Sequence, residues 1–564
     1  TSGSIDANNV AKLTGSVADL NTSFGAAASG SDGIHFGGSS GAADQAVEIT
    51  DSTVLAVDLI TLNGNTSGTI DASTLSEIEG TAANANTIYN TKSGGDGFTG
   101  LGDEAITLTD TTAGAAALID LYTNGTSGMI DASTVHTITG TTANANIIYA
   151  QTSTFTGLGT ENITIQGESS NTLGVAALNT LNGNTTGNIN ADTVTILTGE
   201  ISALNTAYAA SASTGDGISN LGNEAITLSD TSVTDVAALN TLNGNTTGLI
   251  NAGTNVASFT GSISALNTMF AAAGDSGDKI DFGGTGGAAT QTVTISDTTD
   301  VSVTGLNTLN GNTTGNIDAS GVTSLASASI SDIKTLLTAG NSHTSNFTST
   351  SFNDLATVAV SGTSISVADL NDSITQANTA TTDPTTTVFS VGSGATITTG
   401  DEAAFSTLLT NEQNGNIAIA DQNLTVSSGT ISVDNANLLN ATTSGTVTAS
   451  IDITETVDEL TTLSGTGAYT IVIRSGDATN STAAKFNTIN SATTVAIDAH
   501  EVTALVSSNL SDIKTLLTAA NDTAQFTDST GKVSFGALTA VAVADATVNV
   551  SDFNAAVTQA NTAT

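Results

Sequence analysis

The chain has 564 residues, with 8 Lys and Arg against 52 Asp and Glu, a formal net charge of -44, and neither Cys nor Trp. So few cations cannot build the basic face that nucleic-acid binding needs, and the lack of Cys excludes disulfides and thiolate metal sites. No apolar run reaches the roughly eighteen residues that a membrane span requires. We therefore expect no nucleic-acid partner and no membrane span.

The acidity is not typical of a disordered chain, because Val, Ile, Leu and Phe recur along the whole length. Excess carboxylate charge is easiest to tolerate where salt screens it or where divalent cations neutralise it. Together with the lack of Cys, this favours an extracellular, cell-surface location. The chain begins at Thr1 in the middle of a repeat, so we expect a fragment or a processed form.

Internal repeats dominate the sequence from its first residues. The segment Thr-Ser/Thr-Gly-x-Ile recurs about every sixty residues, with its glycine at Gly3, Gly68, Gly128, Gly187, Gly248 and Gly315. The ten residues Leu-Asn-Thr-Leu-Asn-Gly-Asn-Thr-Thr-Gly precede it unchanged at 178–187, 239–248 and 306–315. Because only glycine fills this slot, we expect a positive φ or a close backbone approach there.

Each unit of about sixty residues consists of two related halves. In the first half, the alternating segment 194–199 predicts a strand, and the apolar spacing of Ile201, Leu204 and Tyr208 predicts a short helix. In the second half, 226–230 predicts a strand and 233–242 predicts a helix with Val236, Leu239 and Leu242 on one face. The elementary coil is therefore a strand, a turn, a short helix and a second extended segment.

A coil of about thirty residues cannot bury its apolar face alone and must stack on its neighbours. The sequence therefore predicts a repeat protein, a β-rich α/β solenoid of about eighteen or nineteen coils paired into sixty-residue units and roughly 90 Å long. The handedness of the coil stays open. The alternative is a string of small α/β repeat domains.

Longer repeats divide the chain further. Residues 1–320 form about five sixty-residue units, and 321–381 are a repeat copy, which we call copy A. Residues 502–564, copy B, match 322–381, with Ser-Asp-Ile-Lys-Thr-Leu-Leu-Thr-Ala at both 331–339 and 511–519. Between them, 382–501 is a less regular β-rich region that contains Pro384. We place a domain or subdomain boundary near Thr381.

The repeated phrases Leu-Asn-Thr-Leu-Asn-Gly-Asn-Thr-Thr-Gly and Asn-Leu-Gly-Asn-Glu-Ala-Ile-Thr-Leu-Ser-Asp-Thr resemble those of giant Thr/Asn/Ala/Gly-rich tandem-repeat surface proteins of bacteria, of the marine cyanobacterial type. The resemblance covers nearly all of residues 1–320 and weakens after that. It implies export and cell-surface assembly, and it brings no catalytic residues. Many such proteins adjoin calcium-binding nonapeptide repeats, but this chain has no clean Gly-Gly-x-Gly-x-Asp array.

The sequence offers little support for catalysis. The four histidines, His35, His136, His343 and His500, fall in different repeats without a repeated carboxylate or hydroxyl neighbour. His35 fills the slot that Asp281 fills in the matching loop. The chain has neither a Gly-x-Ser-x-Gly elbow nor a phosphate-binding loop, so we expect neither nucleophilic catalysis nor nucleotide binding.

Acidic residues recur at two positions of the repeat. One group lies in the Ile-Asp-Ala slot, at Asp6, Asp71, Asp131, Asp318 and Asp498. The other follows a strand, at Asp51, Asp110, Asp230 and Asp297. A glycosidase pair should be a local exception to the repeat, whereas these acids are the repeat itself. We interpret both groups as turn residues whose side chains accept from backbone N–H groups two residues on.

Calcium is the alternative interpretation of the acids. Carboxylates in glycine-rich loops can supply the six to eight oxygens that Ca²⁺ takes. The candidate ligands are Asp32, Asp96, Asp216, Asp278 and Asp281. Their spacing fits neither an EF-hand nor a nonapeptide repeat. The asparagines Asn179, Asn182 and Asn184 could form side-chain ladders along a solenoid or satisfy turn backbone.

These observations favour a non-catalytic extracellular structural protein that assembles into a surface layer, sheath or filament. Its expected partners are copies of itself, with cell-surface polysaccharide as a further candidate, and its only expected cofactor is calcium. The first alternative is the stalk of a large adhesin, and the remote one is a β-helix enzyme acting on polysaccharide.

Overall fold

The structure is a computed structural model that describes residues 3–27, 33–37, 43–92, 97–211, 217–284, 289–341, 346–380, 386–477, 479, 481–527 and 535–563. The chain forms two compact units. The first comprises 1–257 with 269–289, and the second comprises 258–268 with 290–564.

The described residues contain eighteen α-helices, most of them about ten residues long. They are α1 (Val17–Ala27), α2 (Ala56–Asn65), α3 (Ala82–Thr91), α4 (Ala115–Asp120), α5 (Thr142–Tyr149), α6 (Val175–Asn184), α7 (Ile201–Ser211), α8 (Val236–Asn245), α9 (Ile263–Ala271), α10 (Val303–Asn312), α11 (Ile330–Asn341), α12 (Val367–Ala380), α13 (Glu402–Gln413), α14 (Val433–Thr442), α15 (Val457–Leu460), α16 (Ala483–Ser491), α17 (Leu510–Ala520) and α18 (Val550–Ala563). Isolated helices of this length are marginal in water, so they depend on packing.

The strands are shorter still, at two to six residues each. They are β1 (Ile5–Ala7), β2 (Lys12–Gly15), β3 (Ile34–Phe36), β4 (Ala46–Ile49), β5 (Thr53–Leu55), β6 (Ile70–Asp71), β7 (Glu77–Gly80), β8 (Phe98–Thr99), β9 (Ala105–Leu108), β10 (Thr112–Gly114), β11 (Ile130–Asp131), β12 (Thr137–Gly140), β13 (Phe155–Thr156), β14 (Asn162–Ile165), β15 (Thr172–Gly174), β16 (Ile189–Asn190), β17 (Ile196–Gly199), β18 (Ile218–Ser219), β19 (Ala225–Leu228), β20 (Ser232–Val233), β21 (Ile250–Asn251), β22 (Ser258–Gly261), β23 (Ile280–Asp281), β24 (Thr292–Ile295), β25 (Ile317–Asp318), β26 (Ser324–Ser329), β27 (Thr357–Ser361), β28 (Ser364–Ser366), β29 (Val388–Val391), β30 (Thr396–Gly400), β31 (Ile417–Ala418), β32 (Asn423–Val426), β33 (Val447–Ser450), β34 (Ala468–Thr470), β35 (Ile497–Asp498), β36 (Ala504–Ser508), β37 (Phe526–Thr527) and β38 (Ala540–Val543).

One coil shows how the sequence produces these elements. In β19, Ile226 and Leu228 are buried on either side of a half-buried Thr, the alternation of a strand with one face on the core. In α8, Val236, Leu239 and Leu242 are all buried at a spacing of three residues, which places them on one helix face. The strand, turn, helix and second extended segment follow the predicted order.

The strands pair in parallel with strands about one coil away, within sheets of two to five strands. In the first unit the larger sheets run β5-β7-β9-β11-β13, β10-β12-β14-β16-β18, β15-β17-β19-β21-β23 and β2-β4-β6-β8. In the second unit they run β22-β24-β25, β26-β27-β29-β31 and β28-β30-β32-β33-β34. A sheet from β5 to β13 extends across more than one sixty-residue repeat. Within each of the two compact units the coils therefore stack. This confirms the predicted α/β repeat protein, and its strands are parallel.

The core follows from the register of these ladders. Val54 pairs with Ile78, Ile78 with Ile106, and Ile106 with Ile130, so apolar residues of successive coils lie side by side. Each of the four is almost inaccessible to solvent, and burying each side chain contributes about 1.5–3 kcal/mol. A slip of one residue would turn this row outward.

The repeated glycine lies where two coils approach most closely. A Cβ on Gly187 would overlap the carbonyl oxygen of Glu161 in the preceding coil. The same overlap occurs at the other glycines of the slot, Gly68, Gly128, Gly248 and Gly315, whose Cβ would meet Gln45, Glu104, Glu224 and Gln291. The predicted close approach is therefore confirmed at five positions, none of which has a positive φ, whereas Gly3 faces open space.

No helix among the residues that the structure describes is both long enough and apolar enough to cross a membrane. The stacking of coils in the second unit continues past residue 381, since β28 pairs with β30 and β27 with β29. Pro384 lies outside the described residues, and the boundary near Thr381 stays a prediction.

Candidate functional site: polar contacts between coils

A ladder of asparagine side chains joins consecutive helices. Asn146 Nδ2 donates to the carbonyl oxygen of Ala177 in the next helix at 2.9 Å, and Asn179 does the same to Ala203 at 2.8 Å. Further donors of this kind are Asn21, Asn86, Asn205, Asn267, Asn307, Asn371 and Asn487. Asn184 adds a side-chain rung, donating to Asn146 Oδ1 at 3.1 Å. Of the two roles that the sequence left open for these asparagines, Asn179 and Asn184 show the ladder.

Acidic residues cap helices of the neighbouring coil. Asp230 Oδ2 accepts the backbone N–H of Ile201 at the start of α7, 29 residues away, at 3.0 Å. Equivalent caps are given by Asp51, Asp110, Glu168, Asp297, Glu455, Asp477 and Asp545. A carboxylate is favourable there because it satisfies an orphan N–H and faces the positive end of the helix dipole. The turn interpretation of Asp51, Asp110, Asp230 and Asp297 was therefore wrong.

The acids of the Ile-Asp-Ala slot do what the sequence predicted. Asp131 Oδ1 accepts the N–H of Ser133, two residues on, at 2.9 Å. The same turn forms at Asp6, Asp71, Asn190, Asp281, Asp318 and Asp498. Hydrogen bonds from Ser73, first its side chain and then its backbone, lower the pKa of Asp71.

Three buried glutamates each accept a hydrogen bond from a tyrosine. The tyrosine hydroxyl lies 2.9 Å from Glu Oε2 in the pairs Tyr89–Glu104 and Tyr149–Glu161, and 3.0 Å in the pair Tyr208–Glu224. Each glutamate is 1% exposed and also accepts a backbone N–H, from Gly102, Gly159 and Gly222 respectively. Burial first, and the adjacent carboxylate second, raises the pKa of all three tyrosines well above the ordinary value.

The two residues of each pair change together from one repeat to the next. The tyrosine is always seven residues after the first residue of its helix, and the glutamate directly precedes a strand. In the repeats on either side, the same two positions hold Phe24 with Gln45 and Phe270 with Gln291. A carboxylate therefore occurs where a hydroxyl can donate to it, and a neutral amide occurs where the ring has no hydroxyl. These residues were not predicted, although the sequence contains the matching pairs of Tyr with Glu and of Phe with Gln.

The hydrogen bonds of the described residues bring no second acid to these buried carboxylates. Each of the three glutamates lies with one tyrosine and one backbone donor, and glycosidic bond cleavage needs a second acid a few ångströms away. Tyr149 borders a shallow cleft of about 360 Å³, together with Phe155, Gly159 and Asn184. Oε1 of Glu161 and of Glu224 is buried without a partner among the described residues. The arrangement fixes the packing of helix against strand.

The candidate calcium ligands lie only partly within the described residues. Asp32, Asp96 and Asp216 fall outside them. Asp281 forms the turn with Gly283 at 2.7 Å, and Asp278 is exposed three residues earlier. Across the described ranges, no group of three or more His, Asp and Glu is arranged to hold a metal ion. Calcium binding stays a prediction.

The histidines are dispersed, as the sequence suggested. His35 lies in β3 and pairs with Asp6, the same strand position that Asp281 takes opposite Asn251. His136 Nδ1 lies 2.6 Å from the carbonyl oxygen of Thr134. His500 lies at the surface beside Asp498 and Glu501. His343 lies outside the described residues.

One helix departs from the repeat. Residues Leu121–Gly125 form a π-helical turn at the end of α4, where the chain between Ala115 and Thr126 is one residue longer than the matching stretch 175–185. Lys92 Nζ donates to the carbonyl oxygen of Gly125 at 3.0 Å and lies 5.3 Å from the ring centroid of Tyr89. The π turn accommodates the insertion while the flanking Thr and Gly keep their contacts.

The last helix exposes a face that its counterpart buries. In copy A, Val367, Leu370 and Ile374 of α12 are at most 1% exposed. The matching residues of α18 in copy B are Val550, Phe553 and Val557, which are 72%, 41% and 46% exposed. In copy A the next coil covers this face of α12, and Asn371 donates a hydrogen bond to the carbonyl oxygen of Ala404 in its helix α13. The three apolar positions that are buried in copy A are therefore exposed in copy B.

A scan against protein-family profiles gives no match to this chain, and a search of curated proteins gives no match either.

Proposed function

We propose that this chain is a non-catalytic, extracellular structural protein whose copies assemble into a surface layer, sheath or filament. The observation that carries the proposal is that its polar side chains form hydrogen bonds between coils. Asparagines and acids recur at fixed positions and link one coil to the next, through the helix ladder and the cross-coil caps. A stack joined in this way is suited to bearing load along its length, because every coil holds its neighbour by packing and hydrogen bonds.

The charge of the chain restricts how copies can meet. With 8 Lys and Arg against 52 acids, contacts between copies cannot consist mainly of salt bridges, and repulsion between the like-charged copies opposes assembly. The contacts must therefore be apolar, made by Asn and Thr hydrogen bonds, or bridged by divalent cations. We propose calcium for the third kind of contact.

The test is the assembly state of the purified chain. We expect negative-stain images to show filaments or a lattice, and sedimentation velocity to show species larger than a monomer whose share rises with ionic strength. A monodisperse particle at every salt and calcium concentration would contradict assembly and favour the adhesin stalk. Chain released from intact source cells by proteinase K would support the surface location, and protection until lysis would oppose it.

A further inference from the structure

The side chain of Lys92 lies against one of the buried tyrosine–glutamate pairs. Its Nζ donates to the carbonyl oxygen of Gly125 at 3.0 Å and lies 5.3 Å from the ring centroid of Tyr89. The backbone of Gly102 is also close, since a Cβ on that glycine would lie 3.9 Å from the same Nζ. An ammonium group is therefore held between an aromatic ring and a carbonyl at the end of a helix, both of which favour a positive charge.

The coil that contains Tyr149 offers the same surroundings. Like Tyr89, Tyr149 donates to a buried glutamate that also accepts a glycine N–H, here that of Gly159. Asn184 takes the place of Gly125, because each directly precedes a threonine whose hydroxyl donates to the backbone carbonyl of the glutamate. Asn184 is the last residue of α6, so its carbonyl oxygen has no partner within the helix.

This coil has no lysine at the equivalent position. Three residues after the tyrosine, the position of Lys92, the chain has Thr152. A shallow cleft of about 360 Å³ is found there, lined among others by Tyr149, Thr152, Gly159 and Asn184. The surface that Lys92 covers in the other coil is therefore open to a ligand here.

The buried glutamates of the coils differ in the same sense. Both carboxylate oxygens of Glu104 accept from the N–H of Gly102, at 2.9 and 3.2 Å. Oε1 of Glu161 is buried without a partner among the described residues, and so is Oε1 of Glu224, whose coil has Ser211 at the lysine position. The incompletely satisfied carboxylates thus occur in the two coils that lack the lysine. A nearby cation would offset the cost of such a buried charge.

From this comparison we infer that the cleft beside Tyr149 binds the ammonium group of a primary alkylamine. The ammonium would donate to the Asn184 carbonyl oxygen and face the Tyr149 ring, as Lys92 does one repeat unit earlier. Phe155 and Leu158 also line the cleft, and they would contact the alkyl chain. The net charge of -44 favours a cationic ligand over an anionic one.

The inference goes beyond the proposed function and does not depend on assembly, because the cleft belongs to one chain. Two sources could supply the ammonium group: a free alkylamine and a lysine of a second copy. Four lysines are already paired with acids, namely Lys12, Lys334, Lys485 and Lys514. Lys279 is exposed and has no ion pair among the described residues, so it is the lysine to test.

The test uses n-butylamine, whose chain and ammonium group match a lysine side chain. n-Butanol at the same concentration is the neutral control, and sodium chloride keeps the ionic strength equal. We expect butylamine to slow hydrogen exchange in peptides that span 148–159 and to raise the melting temperature, because a ligand of the folded chain stabilises it. Butanol should do neither. No change with the amine, or equal effects of the amine and the alcohol, would overturn the inference.

Two substitutions exchange the residues of the two coils. Thr152→Lys supplies an ammonium group from the chain itself, so about tenfold more butylamine should be needed for half-maximal protection. Lys92→Thr removes the ammonium group from the other coil, and butylamine should raise the melting temperature of this variant more than that of the unmodified chain. Thr180→Lys, at an exposed position of α6, has the same charge as Thr152→Lys and should respond as the unmodified chain does. An unchanged response of Thr152→Lys would contradict a site at this cleft.

Lys279→Gln distinguishes the two sources of the ammonium group. If a lysine of a second copy enters the cleft, this variant should assemble less than the unmodified chain, and butylamine should compete with assembly. If neither the substitution nor the amine affects assembly, the ligand is a free amine. Butylamine binding by a chain that stays monomeric would support the inference while the proposed assembly fails. Assembly without butylamine binding would overturn the inference and leave the proposed function standing.

Discussion

The hydroxyl of Tyr208 donates a 3.0 Å hydrogen bond to Oε2 of Glu224, sixteen residues further along the chain. The glutamate is 1% exposed, and the N–H of Gly222 donates to the same oxygen at 2.8 Å. A buried carboxylate is costly unless donors surround it, so the tyrosine and the glutamate depend on each other. The neighbouring repeat has Phe270 and Gln291 at these two positions, a ring without a hydroxyl and a neutral amide.

The first prediction concerns this dependence. Tyr208→Phe should lower the thermal midpoint, because Glu224 keeps its buried charge and loses a donor, at a cost of about 1.5–3 kcal/mol. Adding Glu224→Gln should restore much of the loss, since the double variant reproduces the pair found at Phe270 and Gln291. Melting of the two single variants and the double variant completes the cycle. Additive losses would show that the two residues are not coupled.

The second prediction concerns high pH. Burial raises the pKa of Tyr89, Tyr149 and Tyr208 far above the ordinary value of 10.0, so the folded chain holds these protons more tightly than the unfolded chain. Their contribution to stability is complete below pH 10 and is lost as the pH rises beyond it. We expect the ultraviolet absorbance of tyrosinate from these residues to appear together with the loss of circular dichroism. Ionisation of all the tyrosines near pH 10 with the fold intact would contradict this.

Much of the fold could be predicted because each coil repeats the same local pattern. The helix expected at 201–208 is observed as Ile201–Ser211, and the strand expected at 226–230 as Ala225–Leu228. The staggered pairing of sheets could not be predicted, because strands of two to four residues carry too little information to choose partners a coil away. The π turn at Leu121–Gly125 could not be predicted either, because a helix can accommodate one extra residue in several ways.

The contacts of the acidic residues were predicted only where they are local. The turn at Asp131 links residues two apart, so the sequence alone indicates it. The cap from Asp230 to Ile201 crosses 29 residues, and its geometry depends on how coils stack. Tyr208 and Glu224 are separated by a loop whose length differs between repeats. The pair therefore has no fixed sequence spacing from which it could be predicted.

The third prediction compares two glycines four residues apart. Gly187→Ala should destabilise by about 1–3 kcal/mol, because the new Cβ would overlap the carbonyl oxygen of Glu161 and lie 2.8 Å from the N of Asn162. Gly183→Ala is the matched control in α6, where the space around the residue is open. It should stabilise by about 0.5–1 kcal/mol. Denaturant unfolding measures both, and equal effects of the two substitutions would contradict the close approach.

The fourth prediction concerns the caps between coils. Asp230→Ala should destabilise by about 0.5–2 kcal/mol, because the N–H of Ile201 loses its acceptor and the helix loses a favourable charge. Asp230→Asn keeps an acceptor oxygen and should lose less. Hydrogen exchange localises the effect: the first turn of α7 should exchange faster in Asp230→Ala than in the unmodified chain. Faster exchange confined to residues near position 230 would instead indicate a role in the local turn.

The fifth prediction tests calcium with neutral residues of the same shape. Replacing Asp32, Asp96, Asp216, Asp278 and Asp281 by Asn removes five carboxylates, while Asn at 281 can keep the turn that Asn190 forms elsewhere. The matched control neutralises five other acids, Asp58, Glu79, Asp192, Glu200 and Asp434, so both variants have the same net charge. If the loops bind calcium, excess calcium should raise the melting temperature and the assembled fraction of the unmodified chain and the control, compared with chelator at equal ionic strength. The loop variant should not respond, and the response of the other two should fade in acid, because the ligands must be ionised to bind the metal. An equal response of both variants would mean that calcium acts by general screening, and the loop acids would then be turn residues only.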